Sequence, residues 1–324
     1  MLTVNALDFM NYKSALKGNY RKGVHVFRCI LENPTQAADF AANLGGVCVV
    51  FGVPIGQDDR NSQQLLALLQ ASSVIDQAAL TWVSQWYPDY ADDWNTMAAD
   101  SDRAGEMAAN ELIWRAVGSS PVGAGKVIAT IAGLNCQDYA DMTAVAASST
   151  AMAAVIANST ALNAVVASST AMTAVAASQT AMTAVAASST AMTAVAASAT
   201  ARAAIYASDV AFNTFLNLAT YDTISGTYSG SEWSTRYSGP CIVLQWCYSF
   251  SSGTSGIRTC LDGTASRQYT SSQRYNSSMG SSNYNDHNKK SGTYYKEFVF
   301  CSKLETYNSQ GDWPAISIAY FKLP

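Results

Sequence analysis

From Asp141 to Thr220 the large apolar side chains fall at positions two and five of a ten-residue unit, and the other positions are small or hydroxylic. The units read DMTAVAASST, AMAAVIANST, ALNAVVASST, AMTAVAASQT, AMTAVAASST, AMTAVAASAT, ARAAIYASDV and AFNTFLNLAT. Position two carries Met142, Met152, Leu162, Met172, Met182 and Met192, then Arg202 and Phe212. Position five carries Val145, Val155, Val165, Val175, Val185 and Val195, then Ile205 and Phe215. Position eight is mostly Ser, with Asn158 and Leu218 as exceptions. The last two units are bulkier, as expected where a repeat array is capped by another structure.

High Ala, no Gly or Pro, and a Ser or Thr ahead of each apolar run all favour helix with an N-cap in every unit. One continuous helix fits poorly. Ten residues at ~100° each fall about 80° short of three turns, so the Met/Val stripe would wind around the rod. Holding it on one seam needs about 3.3 residues per turn, below the 3.5 of a coiled coil. The favoured alternative is one short capped helix per decad, stacked on other copies with Met and Val inward. A long oligomeric coiled coil and a two-pentad β-helix remain open. As one helix the array would reach ~120 Å, and as a solenoid several-fold less. Any of these is a rigid, inert spacer.

The chain has 19 basic and 23 acidic residues, yet none lies between Met142 and Ala201. That block is too apolar for a solvated linker. Its apolar runs are too short for a membrane span, so no membrane insertion is expected. The start, MLTVNALDFMNYKSALKGNYRKG, carries no apolar run of secretory-signal type. A net charge of −4 gives no electrostatic case for nucleic acid.

Residues 1–120 read as a mixed α/β domain. VHVFRCILE (24–32) and GVCVVFGVP (46–54) predict strands. NPTQAADFAANLGG, between them, predicts a helix that starts at Pro34 and stops at Gly45. Helical spacing continues through Asn61–Trp86 and Ala91–Val117, where Trp82, Trp86, Trp94 and Trp114 read as core or interface anchors. Residues 121–140 read as a junction. Its GAGK string lacks the first glycine and the hydroxyl residue of a phosphate loop, and nucleotide binding is not expected.

Residues 221–324 hold eleven of the seventeen tyrosines. CIVLQWCYSF (241–250), EFVFCSKLETY (297–307) and AISIAYFKL (315–323) predict strands. With Ser/Gly/Asn turns between them, they suggest an all-β sandwich or barrel-like domain. The fold class is therefore multidomain α+β, with domains at 1–120, 141–220 and 221–324 around the junction at 121–140.

Tandem AMTAVAASST-type decads resemble those of bacteriophage tail-fibre and related virion appendage proteins, over about a quarter of the chain. The resemblance implies a virion structural protein assembled in the bacterial cytoplasm. Its partners would be other virion proteins of tail, baseplate or collar, and a host cell-surface glycan or protein. It also implies a homo-oligomer, most often a trimer among such fibres. The N-terminal domain would dock on the particle, and the β-domain would bind the receptor.

Candidate receptor-binding residues are Trp233, Tyr237, Tyr269, Tyr275, Tyr284, Tyr294 and Tyr295, which could stack on sugar faces. Asn283, Asn285, Asp286 and His287 could bond hydroxyls. Tyr-rich loops supply contact area at low entropic cost. No metal or cofactor is expected, and no catalytic residue. The seven cysteines (Cys29, Cys48, Cys136, Cys241, Cys247, Cys260, Cys301) form no CxxC pair and read as buried free thiols. A nucleophile drawn from the last four with His287 lacks an activating setting. The carboxylates Asp222, Glu232, Asp262, Asp286, Glu297, Glu305 and Asp312 show no spacing that singles out a pair for glycan cleavage. The alternatives to receptor binding are a fibre connector and a polysaccharide-degrading tip.

Overall fold

The structure, a computed structural model, describes residues 28–42, 51, 68–70, 72, 74–90, 93–225, 234–249, 255–261, 264–270, 295–308 and 315–324. They combine many short helices with one antiparallel sheet, an α+β class. The chain divides into two compact units. One is Met1–Val185 with Ala197–Ala204, and the other is Ala186–Ala196 with Ile205–Pro324.

In the first unit nearly every helix start carries a short polar side chain that caps it. Asn33 accepts from Thr35 and Gln36 ahead of α1 (Pro34–Ala42). After α2 (Ile75–Val83), Asp93, Asp100 and Asn110 do the same for α3 (Trp94–Ala98), α4 (Ser101–Ala109) and α5 (Glu111–Val117). These caps satisfy backbone N–H groups that the first turn leaves without partners.

The expected N-terminal strands need correcting. Residues 28–32 are helical, with Ile30 fully buried, and Phe51, the one described residue of 46–54, is helical too. The rest of both runs lies outside the described residues. A short apolar run has no period of its own, so tertiary burial decides between strand and helix. Trp82, Trp94 and Trp114 are buried as expected. Trp86 is 39 % exposed, with its ring edge-on to Trp82.

The expected junction is the centre of this unit. Ser120 and Pro121 start α6 (Pro121–Ile131), which touches α2, α3, α4 and α5 and the first helices of the repeat. Ser120 uses its hydroxyl twice, accepting from Gly123 N–H at 2.8 Å and donating to Asp76. Gly133, at φ +79°, closes the helix by letting Leu134 N–H turn back to Ala129 O.

The GAGK string sits inside α6 because small size is needed there. A Cβ on Gly125 would lie 2.3 Å from the Asp141–Met142 backbone, and one on Gly123 would strike the Trp94 ring. Lys126 is 6 % exposed, and its ammonium donates to the Cys136 and Tyr139 carbonyls at 3.2 and 3.1 Å. Those carbonyls occupy the cation that a phosphate loop would need.

The decads form one helix each: α7 (Met142–Ala147), α8 (Ser149–Ala157), α9 (Ser159–Ala167), α10 (Ser169–Ala177), α11 (Gln179–Ala186), α12 (Ser189–Ala197), α13 (Ala199–Ala207) and α14 (Asp209–Leu218). A single extended residue joins successive helices early in the array. Ser148, Asn158, Ser168 and Ser178 have φ between −94° and −106° and ψ between 111° and 122°. That residue ends one helix and caps the next, and the axis turns by 104° between α8 and α9. Three such bends bring the chain close to full circle, so α7 packs on α10 and α6 on α9.

The capping side chains hold these coils together. Ser178 accepts from Ala181 N–H and donates to Ala146 O at 2.6 Å. Ser198 accepts from Ala201 N–H and donates to Val166 O at 2.6 Å. Each reaches back 32 residues, to the coil before. Earlier in the array the acceptors belong to the segments before it: Asn158 donates to Ile131 O at the end of α6 and Ser168 to Gly118 O just after α5. The alanines at position one, Ala151, Ala161, Ala171, Ala181, Ala191, Ala201 and Ala211, are fully buried. The Met, Leu and Val of positions two and five fill the interior beside them.

In the second unit, α14 runs through Ala219 into a six-stranded sheet. Its strands are β1 (Thr220–Ser225), β2 (Ser234–Ser249), β3 (Ser255–Leu261), β4 (Thr264–Thr270), β5 (Tyr295–Asn308) and β6 (Ala315–Lys322). The order is β1-β6-β2-β5-β3-β4, antiparallel throughout. The sandwich or barrel expected for this region is therefore a single sheet among the described residues. A helix of the last decad supplies its packing: Phe215, fully buried, meets Phe321 at 5.2 Å and Phe298 at 5.5 Å. Lys296 lies 4.3 Å from the Phe212 ring centre.

Two series test these assignments by guanidinium unfolding. Ser178→Ala should cost about 2 kcal/mol, combining a lost cap with a stranded carbonyl. Ser178→Asp, an equal cap without a donor, should not recover that loss, whereas Ser178→Asn, able to do both, should recover most of it. In α6, Gly125→Ala should destabilise by ~2 kcal/mol or more despite better helix propensity. Gly105→Ala, where nothing lies within 4 Å of the added methyl, should stabilise by up to ~1 kcal/mol.

Candidate functional site

Alternation along β6 places Ile318, Tyr320 and Lys322 on one sheet face, away from Phe321 and its contact with α14. Register sets Tyr320 opposite Val243 and Lys322 opposite Cys241, with Cys301 across from Cys241 on the other side. Except for Lys322, these residues belong to one buried cluster with Trp246 and Leu304.

Tyr237 packs on the edge of that cluster, its ring 5.3 Å from Tyr320 at an angle of 37°. The Lys322 ammonium stands 5.2 Å from the Tyr237 ring centre and 6.0 Å from that of Tyr320. An aromatic face attracts a cation at this range. Two register shifts in β2, between Thr235 and Tyr237 and between Ser238 and Cys241, free the backbone for this arrangement. Gly239 has φ +147°, and a Cβ there would come 2.9 Å from the Tyr237 hydroxyl.

Polar groups border the rings. Lys303, opposite Ser238, pairs with the 4 %-exposed Glu305. Arg236 Nε donates to Thr306 Oγ1 at 2.7 Å. Burial raises the Tyr320 phenol above its ordinary value, and the Asp222 carboxylate adds to the shift. Tyr320 is thus held neutral within the buried cluster.

Of the residues expected to bind a receptor, Tyr237 is on this face. Tyr269 lies in β4 opposite Ile257, and Tyr295 lies in β5 opposite Trp246; only their backbone is described. Trp233, Tyr275, Tyr284, Asp286, His287 and Tyr294, with Asn283 and Asn285, lie outside the described residues. Tyr320, Lys322, Lys303 and Arg236 were not among the candidates. The period-two spacing of a strand over AISIAYFKL carries the signal for Tyr320 and Lys322, since it puts both on one face.

The candidate thiol nucleophiles are placed differently from a reactive pair. Cys241 and Cys301 are buried, with their sulfurs 3.4 Å apart. Their hydrogen bond, reinforced by burial, pushes the Cys241 thiol far above its usual range. Among the carboxylates weighed for glycan cleavage, Asp222 acts on the Tyr320 phenol and Glu305 pairs with Lys303. Among the described residues no group of three His, Cys, Asp or Glu side chains could hold a metal ion, and no single helix is long and apolar enough to cross a membrane. Neither a family model nor a curated protein matches the chain.

Gly239→Ala should lower stability by about 1–3 kcal/mol, because the positive φ and the Tyr237 ring both oppose a methyl group. In a Tyr237→Ala background the cost should fall, leaving the backbone part. Unfolding midpoints of the four proteins in this cycle measure the difference.

Proposed function

We propose that the chain is a structural component of a bacteriophage virion, of tail-fibre type. In this reading the N-terminal region attaches to other virion proteins of tail, baseplate or collar. The decads hold a fixed spacing, and the C-terminal sheet binds a glycan or protein of the host surface. The observation that carries it is the decapeptide array, whose sequence resembles that of virion appendages. Its exposed positions in α8–α10 are filled by Ala, Ser, Thr and Asn, with no charge. Such a surface suits a spacer that must stay inert toward solvent and partners.

The aromatic face supports the sheet as the recognising part. Tyr237, half-buried on the cluster's edge and backed by the buried Tyr320 ring, offers stacking area held at fixed geometry, and Lys322 beside it offers a donor to hydroxyl or acidic groups of a sugar. The chain is read as non-enzymatic, because the candidate nucleophiles Cys241 and Cys301 are turned inward against each other. A homotrimer fits the reading, since multivalency converts weak sugar contacts into stable attachment.

Glycan-array binding by the full chain tests this directly. Binding should be seen, and Tyr237→Ala and Lys322→Ala should each weaken it roughly tenfold, about the worth of one aromatic or cation contact. Silence on glycans together with capture of a virion protein would make the chain a connector. Shortening of host polysaccharide on incubation would make it an enzyme. Light scattering of the full chain should give three times the monomer mass.

A further inference from the structure

The two middle strands of the sheet, β2 and β5, carry one cysteine each at directly opposite positions. Cys241 is fully buried and Cys301 is 4 % exposed, and no residue separates their sulfurs, which lie 3.4 Å apart. A disulfide needs about 2.0 Å between sulfurs and Cβ atoms ~3.5–4.5 Å apart. Opposed residues of an antiparallel ladder lie about 4.5–5.5 Å apart at Cβ, so a small local adjustment closes the gap. The register shift between Ser238 and Cys241 gives β2 slack for that adjustment just ahead of Cys241.

We propose that Cys241 and Cys301 form a disulfide when the folded protein meets a peroxide, stapling the two central strands of the sheet. The Cys301 sulfur, the less covered of the two, attacks one peroxide oxygen. An S–O bond forms, the O–O bond breaks, and the departing hydroxide takes the Cys301 proton to leave as water. The Cys241 sulfur then attacks the Cys301 sulfenic acid. The S–S bond forms, the S–O bond breaks, and the second hydroxide takes the Cys241 proton. Both thiols are oxidised by one electron each, and the peroxide is reduced to two waters.

The hydrogen bond from Cys241 lowers the Cys301 thiol below its ordinary value, which favours Cys301 as the first to react. The linked residues are 60 apart in sequence, so the bond constrains a long stretch of unfolded chain. The inference does not depend on the virion reading.

The test treats the folded full chain with dilute hydrogen peroxide, removes it with catalase, then alkylates in denaturant and maps peptides without reduction. The peptides of Cys241 and Cys301 should appear joined, lighter by two hydrogens than their sum. The thermal midpoint of the oxidised protein should rise, and dithiothreitol should reverse both changes. A Cys247→Ser/Cys260→Ser variant should keep the link, while Cys241→Ser should abolish it. Free alkylated Cys241 and Cys301 after peroxide would overturn the proposal. So would sulfinic acid at Cys301 with Cys241 unlinked, or a link from either to Cys247 or Cys260.

Discussion

A hydroxyl that accepts a hydrogen bond from its own helix and donates one to an earlier segment is the interaction on which the repeat depends. At Ser178 and Ser198 the accepted bond fixes where a helix begins, and the donated bond fixes which coil it lies against. A carboxylate could do the first and not the second. Asp141, which opens the array, only caps. Asn158 carries acceptor and donor on separate atoms and uses both. Ser120 does the same where α6 meets Asp76, so the array extends a device already present in the helices before it.

The rest of the repeat is shaped by what that hydroxyl permits. One extended residue between helices gives a sharp turn, and a sharp turn brings backbones close enough that alanine alone fits at position one. Met, with its flexible thioether, fills the irregular space that remains. In an array of this kind stability is close to a sum of repeat and neighbour terms. Its first helices rest on α6. The last helix, α14, covers the sheet through Phe215.

Much of this was legible in the sequence, and the gaps have physical causes. The period, the caps and one helix per decad follow from Ser and Thr placed ahead of Ala-rich runs. That coils repeat after three decads was not legible, because the bend at each Ser is set by packing between distant segments. VHVFRCILE misleads because its β-branched and aromatic residues suit a strand, while burial of Ile30 is met within a helix. Residues 121–140 read as a junction between domains, yet Gly125 is there so that the Asp141 backbone can lie against α6. On the sheet, β2 and β5 are readable as apolar, β-rich runs and β6 from its alternation, and their polar neighbours β1, β3 and β4 are not. The candidate site was half legible. Tyr237 stands out by type, and alternation puts Tyr320 and Lys322 on one face of β6, but only the pairing of β6 with β2 brings them beside Tyr237.

The decads coil back on themselves, with α7 packed on α10. Nitroxide-bearing non-natural residues at Thr143 and Thr173, both exposed and equivalent in decads one and four, would report it by pulsed electron resonance. Helices α7 and α10 in contact predict a short separation, about 10 Å between axes and on the order of 20 Å between labels. A continuous helix would hold the two sites ~45 Å apart, and a distance of that size would contradict the account.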